Sequence, residues 1–249
     1  MLKDFSTEAF DVIVQAGQSN AEGCGYGSAE EPYEPNPDIL YLTRDFMIVP
    51  AVETVHGNEI WGDFSLSFSS MYVKAGLLQE GRKLLILRCA VGGAGFSDHR
   101  WGAEDDLFLT MMEMIKTALG MNNENRLVAF LWHQGEHDAC NLMPPETYRG
   151  HLAHLISLVR SVHHCPELPF IAGDFAAQWK YWAFNFAIPI ADAVQVVCQS
   201  DGHAAFVEST GLKSNNQQTG ADDIIHFCRD SLNQLGRRYF EAFQALKNM

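Results

Sequence analysis

The sequence contains no C-x-x-C pair, no apolar run long enough to cross a bilayer and no surplus of basic residues. Each absence removes a class of protein. Six cysteines stand at positions 24, 89, 140, 165, 198 and 228. Without paired spacing, and with Cys89 and Cys198 inside apolar stretches, they read as reduced, mostly buried thiols rather than a disulfide framework or a zinc ribbon. Lys and Arg number 17 against 31 Asp and Glu, a net charge of −14 with a pI near 5.0. A phosphate-backbone binder needs a basic surface, so nucleic acid is not an expected partner. Anionic membranes and polyanionic substrates are disfavoured on the same Coulombic ground, although a local Arg can override a global field. The opening "MLKDFSTEAF" carries Lys3, Asp4 and Glu8 where a signal peptide needs an apolar run, which points to a cytoplasmic protein.

No internal repeat, low-complexity tract or composition break divides the 249 residues, so one domain spanning 1–249 is expected. A hydrophobic fraction of 47% with 19% charged residues suits a globular core. Near-continuous apolar runs at Val12–Ala16, Leu84–Cys89, Leu127–Trp132 and Leu168–Ala172 read as strands covered on both faces. Helical spacing marks Ser67–Gln79, Leu107–Leu119, the stretch after Pro144-Pro145, and Ile190–Val197. A last helix is expected from about Asp230-Ser231, where Ser231 and Gln234 have capping-box spacing. Strands alternating with helices predict an α/β protein, a three-layer α/β/α sandwich around a mostly parallel sheet.

Ligand sites in open α/β sheets collect at the carboxyl ends of strands. Four polar or glycine-rich segments are expected at that edge: "GQSNAEG" with Ser19, "AVGGAGFSDHRW", "HQGEHDAC", and "KSNNQQTGADD" leading to His226. Singly, each is an ordinary turn. Together they supply a nucleophile, a base, an orienting acid and free backbone amides, the requirements of acyl transfer.

The strings "GQSNAEG", "CAVGGAGF", "LWHQGEHD" and "DDIIHF", in that order, resemble the blocks of the SGNH (GDSL-like) hydrolase superfamily. They are most similar to its carbohydrate acetylesterase branch, the sialate O-acetylesterase and acetylxylan esterase type. The first block reads Gly-Gln-Ser-Asn rather than Gly-Asp-Ser-Leu, as in that branch. The resemblance runs from the first strand to the last helix and implies a flavodoxin-like sheet and a serine esterase that removes O-acetyl groups from a carbohydrate without a cofactor or metal. It implies Ser19 as nucleophile, His226 as base and Asp223 as the acid orienting it, with Asp222 and Glu136 as alternatives for the acid. The oxyanion donors implied are the amides of Ser19 and Gly93 and the side chain of Gln134, with Glu136 holding the Gln134 loop. Gln18, Asn20, Arg100 and Trp101 are candidate substrate contacts. A sialic acid would need a cation for its carboxylate, for which Arg100 is the candidate; the overall negative charge slightly favours a neutral sugar.

Two rival readings have residues of their own. His133-x-x-Glu136-His137 matches an inverted zinc-protease string, which requires both histidines on one helix face. Here it follows a strand pattern and contains Gly135, against a helix. A non-catalytic sugar-binding module is the other, with Trp179, Tyr181 and Trp182, and with Trp61 and Trp101, as stacking platforms or as plain packing.

Overall fold

The computed structural model describes residues 5–248, so Lys3 and Asp4 lie outside it. In chain order the elements are β1 (Ala9–Gly17), α1 (Ser19–Glu22), β2 (Ile39–Leu42), β3 (Ile48–Pro50), β4 (Thr54–His56), β5 (Glu59–Trp61), α2 (Phe64–Lys74), β6 (Arg82–Arg88) and α3 (Asp106–Gly120). They continue with β7 (Arg126–His133), α4 (Glu136–Cys140), α5 (Pro145–Val162), β8 (Phe170–Gly173), α6 (Ala177–Trp182), α7 (Phe184–Gln199), β9 (Ala204–Val207), α8 (Asn215–Thr219) and α9 (Arg229–Lys247). Seven strands form one sheet in the order β3-β2-β6-β1-β7-β8-β9, parallel except for the antiparallel edge strand β3. β4 and β5 form a separate hairpin. Among the described residues no helix is long and apolar enough to cross a membrane.

The near-continuous apolar runs are explained by burial on both faces. In β1, Val12, Val14 and Ala16 point into one core, built with α3, α5 and α7, while Ile13 points into the other, built with α2 and α9. The chain leaves β1 to build β2 and β6 on one side and then crosses to β7 on the other. That reversal places the carboxyl ends of β6 and β7 on either side of the end of β1, the position where ligand crevices form. At the opposite edge the buried Asp11 accepts from Arg82 Nε at 2.8 Å, Arg126 Nε at 2.7 Å and Tyr72 Oη at 2.8 Å. Burial would raise that carboxyl, yet these bonds outweigh it and hold it below the usual carboxylate range.

The helices depart from expectation at their ends. α2 begins at Phe64 because Asp63 caps it, accepting from the Ser65 amide at 2.8 Å. α7 extends beyond the expected Ile190–Val197, from Phe184 through Pro189 to Gln199. The expected capping box on α9 does not form: the helix starts at Arg229, Ser231 Oγ accepts from the Lys213 amide at 2.7 Å, and Gln234 Nε2 donates to Asp230 Oδ2 at 2.7 Å. Strands β2, β3 and β9 are only three or four residues long and carry too little periodicity to be read from sequence.

α9 lies against α2 with edge contacts from Phe68 to Phe240 and Phe243. The approach is closest at Gly236, where an added Cβ would lie 2.0 Å from the Phe64 carbonyl oxygen. Gly236→Ala therefore forces the helices apart and is expected to destabilise by about 2–3 kcal/mol. Denaturant unfolding measures this: the midpoint falls with the slope unchanged, and an unaltered midpoint contradicts the close approach.

Candidate active site

β1 ends at Gly17, whose φ of +129° suits glycine and whose partner across the ladder is His133. A Cβ at Gly17 would lie 2.1 Å from the His133 carbonyl oxygen, so no other residue fits. The Gln18 amide donates to that same oxygen at 2.9 Å. Chain direction is thereby fixed one residue before Ser19, which opens α1 with 8% of its surface exposed.

Ser19 Oγ lies 2.9 Å from His226 Nε2, and His226 Nδ1 lies 3.0 Å from both oxygens of Asp223. Asp223 also accepts from Asn215 Nδ2 at 2.9 Å and from the His226 amide at 3.2 Å. Burial pushes the Asp223 carboxyl up, but the bonds from His226 and Asn215 prevail and hold it below the usual range. Asp222, the neighbouring alternative, is exposed and has no such contact. Asn20 fixes the spacing of the pair: its Nδ2 donates to the Ile225 carbonyl at 3.1 Å and its Oδ1 accepts from the Phe227 amide at 3.0 Å. The residue after Ser19 therefore clips the residues on both sides of His226.

The glycine turn after β6 faces this pair. Val91–Ala94 closes with the Ala94 amide on the Val91 carbonyl at 3.3 Å, and Gly93 takes φ +69°. The Gly92 amide donates to Glu22 Oε2 at 2.7 Å, and a Cβ on Gly92 would come 3.7 Å from Ser19 Cβ. Among the described residues, no acceptor engages the Ser19 or Gly93 amides. Two free N–H groups beside a serine paired to an imidazole can stabilise a tetrahedral oxyanion.

The model of the carbohydrate esterase, sialic acid-specific acetylesterase family matches residues 9–245. The chain belongs to this family. It is 25% identical to the "Probable 9-O-acetyl-N-acetylneuraminic acid deacetylase" of Escherichia coli (strain K12), covering 73% of this chain and 71% of that protein. A "Probable carbohydrate esterase" of Arabidopsis thaliana is also 25% identical, covering 68% and 70%. The crystal structure of NanS shares the fold with a TM-score of 0.80 at 18% identity, over 100% of this chain and 99% of that one. Family membership makes the protein a carboxylic ester hydrolase that acts on carbohydrate O-acetyl groups.

In this carbohydrate esterase several expected site residues have other tasks. Gln134 is not a free oxyanion donor: its Nε2 gives its two hydrogens to Asp138 Oδ2 at 2.7 Å and Gln18 Oε1 at 3.3 Å. Gln18 braces that loop through its Oε1, which accepts also from the Gly135 and His137 amides at 3.3 and 3.1 Å. Asn20 is wholly buried, the clip described above. Trp101 is wholly buried against Trp132 and cannot stack on a sugar. Arg100 is paired with Asp106 at 2.7 Å. Trp179 is buried between Phe175 and Phe186, while Tyr181 and Trp182 are 68% and 71% exposed. Sequence reasoning missed Asn215 and Asp138. Ser214 and Gln217 form a capping box that sets Asn215 at the start of α8, a spacing visible in "SNNQ". Asp138 accepts from the Phe96 and Ser97 amides at 3.0 and 2.7 Å, anchoring the glycine turn to α4.

The zinc-like string is split between two surroundings. His133 is fully buried with Nδ1 3.1 Å from Tyr239 Oη, while His137 faces Asp98 and Asn141 at the surface. Tyr239 donates to the Trp132 carbonyl at 2.8 Å, so His133 donates from Nδ1 and is neutral, its pKa pushed down to about 3 by burial. Its Nε2, 3.7 Å from Glu136 Oε1, and Glu136 Oε2 are both buried without a hydrogen-bond partner. Glu136 Oε1 accepts from Asn20 Nδ2 at 2.8 Å rather than holding Gln134. Burial raises the Glu136 carboxyl above its ordinary value.

Asn20→Ala releases the His226 segment and is expected to lower kcat about 10²-fold, with acetyl ester turnover on folded variant as the measurement; unchanged kcat removes Asn20 as the positioning group. For Glu136 the raised folded pKa means that the folded state keeps its proton above about pH 4 while the unfolded chain loses it, so this residue costs stability as pH rises. Glu136→Gln keeps the Asn20 bond and removes that cost. Its Tm should gain on wild type from pH 4 to pH 8, and parallel profiles would contradict a protonated Glu136.

Proposed function

We propose that the protein deacetylates an O-acetylated sugar through an acetyl-Ser19 intermediate. The observation that carries this reading is the 2.9 Å contact between Ser19 Oγ and His226 Nε2, continued by the 3.0 Å contact from His226 Nδ1 to Asp223. Ser19 attacks the acetyl carbonyl while His226 takes its proton, and Asp223 holds the imidazole tautomer and stabilises the imidazolium. The developing oxyanion is received by the amides of Ser19 and Gly93. His226 then protonates the departing sugar oxygen. Water, deprotonated by the same imidazole, attacks acetyl-Ser19 and releases acetate.

Gln134 acts indirectly in this mechanism, through its bonds to Gln18 and Asp138, which hold the two loops flanking Ser19. An O-acetylated sialic acid is the substrate we propose, supported by the family description and by the printed activity of the E. coli relative. The absence of any pairing among the six cysteines supports a reducing, cytoplasmic setting. The test is acetate release from acetylated sugars by wild type and Ser19→Ala, each with and without EDTA. The expected loss on substitution is about 10⁴-fold or more, with no effect of chelator. Retained activity in Ser19→Ala, or loss in EDTA, would falsify the serine mechanism.

A further inference from the structure

A cavity of about 410 Å³ beside the glycine turn is lined by Glu22, Thr43, Arg44, Asp45, Arg88 and Ala90. Its position follows from the sheet. β2 runs parallel to β6, so the turn after β2, which carries Arg44, rises at the edge where Ser19 lies. That turn is held by the Thr43 amide on the Met47 carbonyl at 2.9 Å and the Phe46 amide on Thr43 at 2.8 Å. Glu22 connects the cavity to the reaction centre: it is three residues from Ser19 and accepts from Gly92, the neighbour of the free Gly93 amide. Ala90 immediately precedes the glycine turn.

The charge pattern of this cavity is unusual for the molecule. Arg82, Arg100, Arg126, Arg149, Arg160, Arg229 and Arg237 are each bound to a carboxylate. Arg44 is exposed and has neither a hydrogen-bond nor an ion-pair partner among the described residues. Arg88 is oriented from below: its Nη2 donates to the Glu22 carbonyl at 2.6 Å and its guanidinium lies 4.8 Å over the Tyr41 ring. Its Nε is 4.0 Å from Asp63 Oδ2, whose carboxylate is already engaged by Gln15, Tyr41 and Ser65. Part of the Arg88 fork is thus left for another acceptor. Glu22 and Asp45 balance the two arginines in overall charge, so the cavity offers directed guanidinium donors rather than a positive field. Glu22 and Asp45 add acceptors suited to sugar hydroxyls.

We propose that Arg44 and Arg88 form the subsite that holds the carboxylate of an O-acetylated acidic sugar whose ester is presented to Ser19. In a sialic acid acetylated on its glycerol tail, the carboxylate is attached at the anomeric carbon, at the other end of the molecule. An enzyme that holds the ester at Ser19 must therefore meet the carboxylate in a separate pocket. Guanidinium forks match carboxylate geometry and confer selectivity through charge-assisted bonds. Arg100, the cation suggested by sequence, is closed to this role by Asp106.

The proposal rests on the esterase reading above, and the experiment separates the two. kcat/KM is measured for 9-O-acetyl-N-acetylneuraminic acid and for its carboxyl methyl ester, with acetylated xylose as a neutral control, in wild type, Arg44→Ala and Arg44→Glu. Wild type should prefer the free acid by about 10- to 100-fold, chiefly through KM. That preference should collapse towards one in Arg44→Ala and reverse in Arg44→Glu. An equal preference in wild type and Arg44→Ala, or none in wild type, overturns the carboxylate subsite. Turnover of acetylated xylose without turnover of either sialic acid overturns the subsite alone. Loss of all ester hydrolysis overturns both.

Discussion

The contact between the end of β1 and the end of β7 is the constraint on which the site depends. Gly17 is pressed against the His133 carbonyl, and the Gln18 amide donates to the same oxygen. Because a side chain at Gly17 has no room, the two strands meet backbone to backbone at the sheet's carboxyl edge. The direction in which the chain leaves β1, and so the aim of Ser19, is set there. The Gln18 side chain then gathers three donors from the segment that leaves β7. One close approach thereby coordinates two loops.

A layer of buried polar groups transmits that order to the base and to the glycine turn. Asn20 clips the backbone on both sides of His226, and Asn215 bonds Asp223 from α8. Asp138 joins the glycine turn to Gln134, and Tyr148 Oη lies 2.9 and 3.0 Å from the two Gln134 oxygens. Buried hydrogen bonds of this kind are strongly directional, and leaving a partner unmet costs about 1–3 kcal/mol each. The geometry of Ser19, His226 and Asp223 therefore depends on residues that touch none of the reacting atoms. His133 and Glu136 are the exception in this layer, each with a buried atom lacking a hydrogen-bond partner. A neutral imidazole beside a carboxyl whose pKa is raised by burial is the state that low dielectric favours.

The same logic explains why residues of similar appearance in sequence have different fates. Arg100 and Arg44 both follow strands and both stand near acids, but a bidentate carboxylate neutralises the first and none reaches the second. Trp101 and Trp182 are both tryptophans beside polar residues, yet one fills the core and the other is open to solvent.

The sequence by itself determined the α/β class, since strands covered on both faces read as near-continuous apolar runs where a half-exposed strand alternates, and helical spacing lies between them. It also determined the order in which the reactive types arrive: Ser19 after β1, glycines after β6, Asp223 three residues before His226. Those features are local, encoded by neighbours along the chain. Only the tertiary structure decided which acid meets the imidazole, because Asp222 and Asp223 differ in orientation and not in type. It likewise gave bracing roles to Gln18, whose Oε1 accepts from the segment after β7, to Asn20, whose amide bonds Glu136 and both sides of His226, and to Gln134, whose amide bonds Asp138 and Gln18, contacts made mostly across more than a hundred residues. Strand order brought the turn after β2 to the edge that holds Ser19, and parallel pairing across a crossover is a property of the folded sheet that no short stretch of sequence contains.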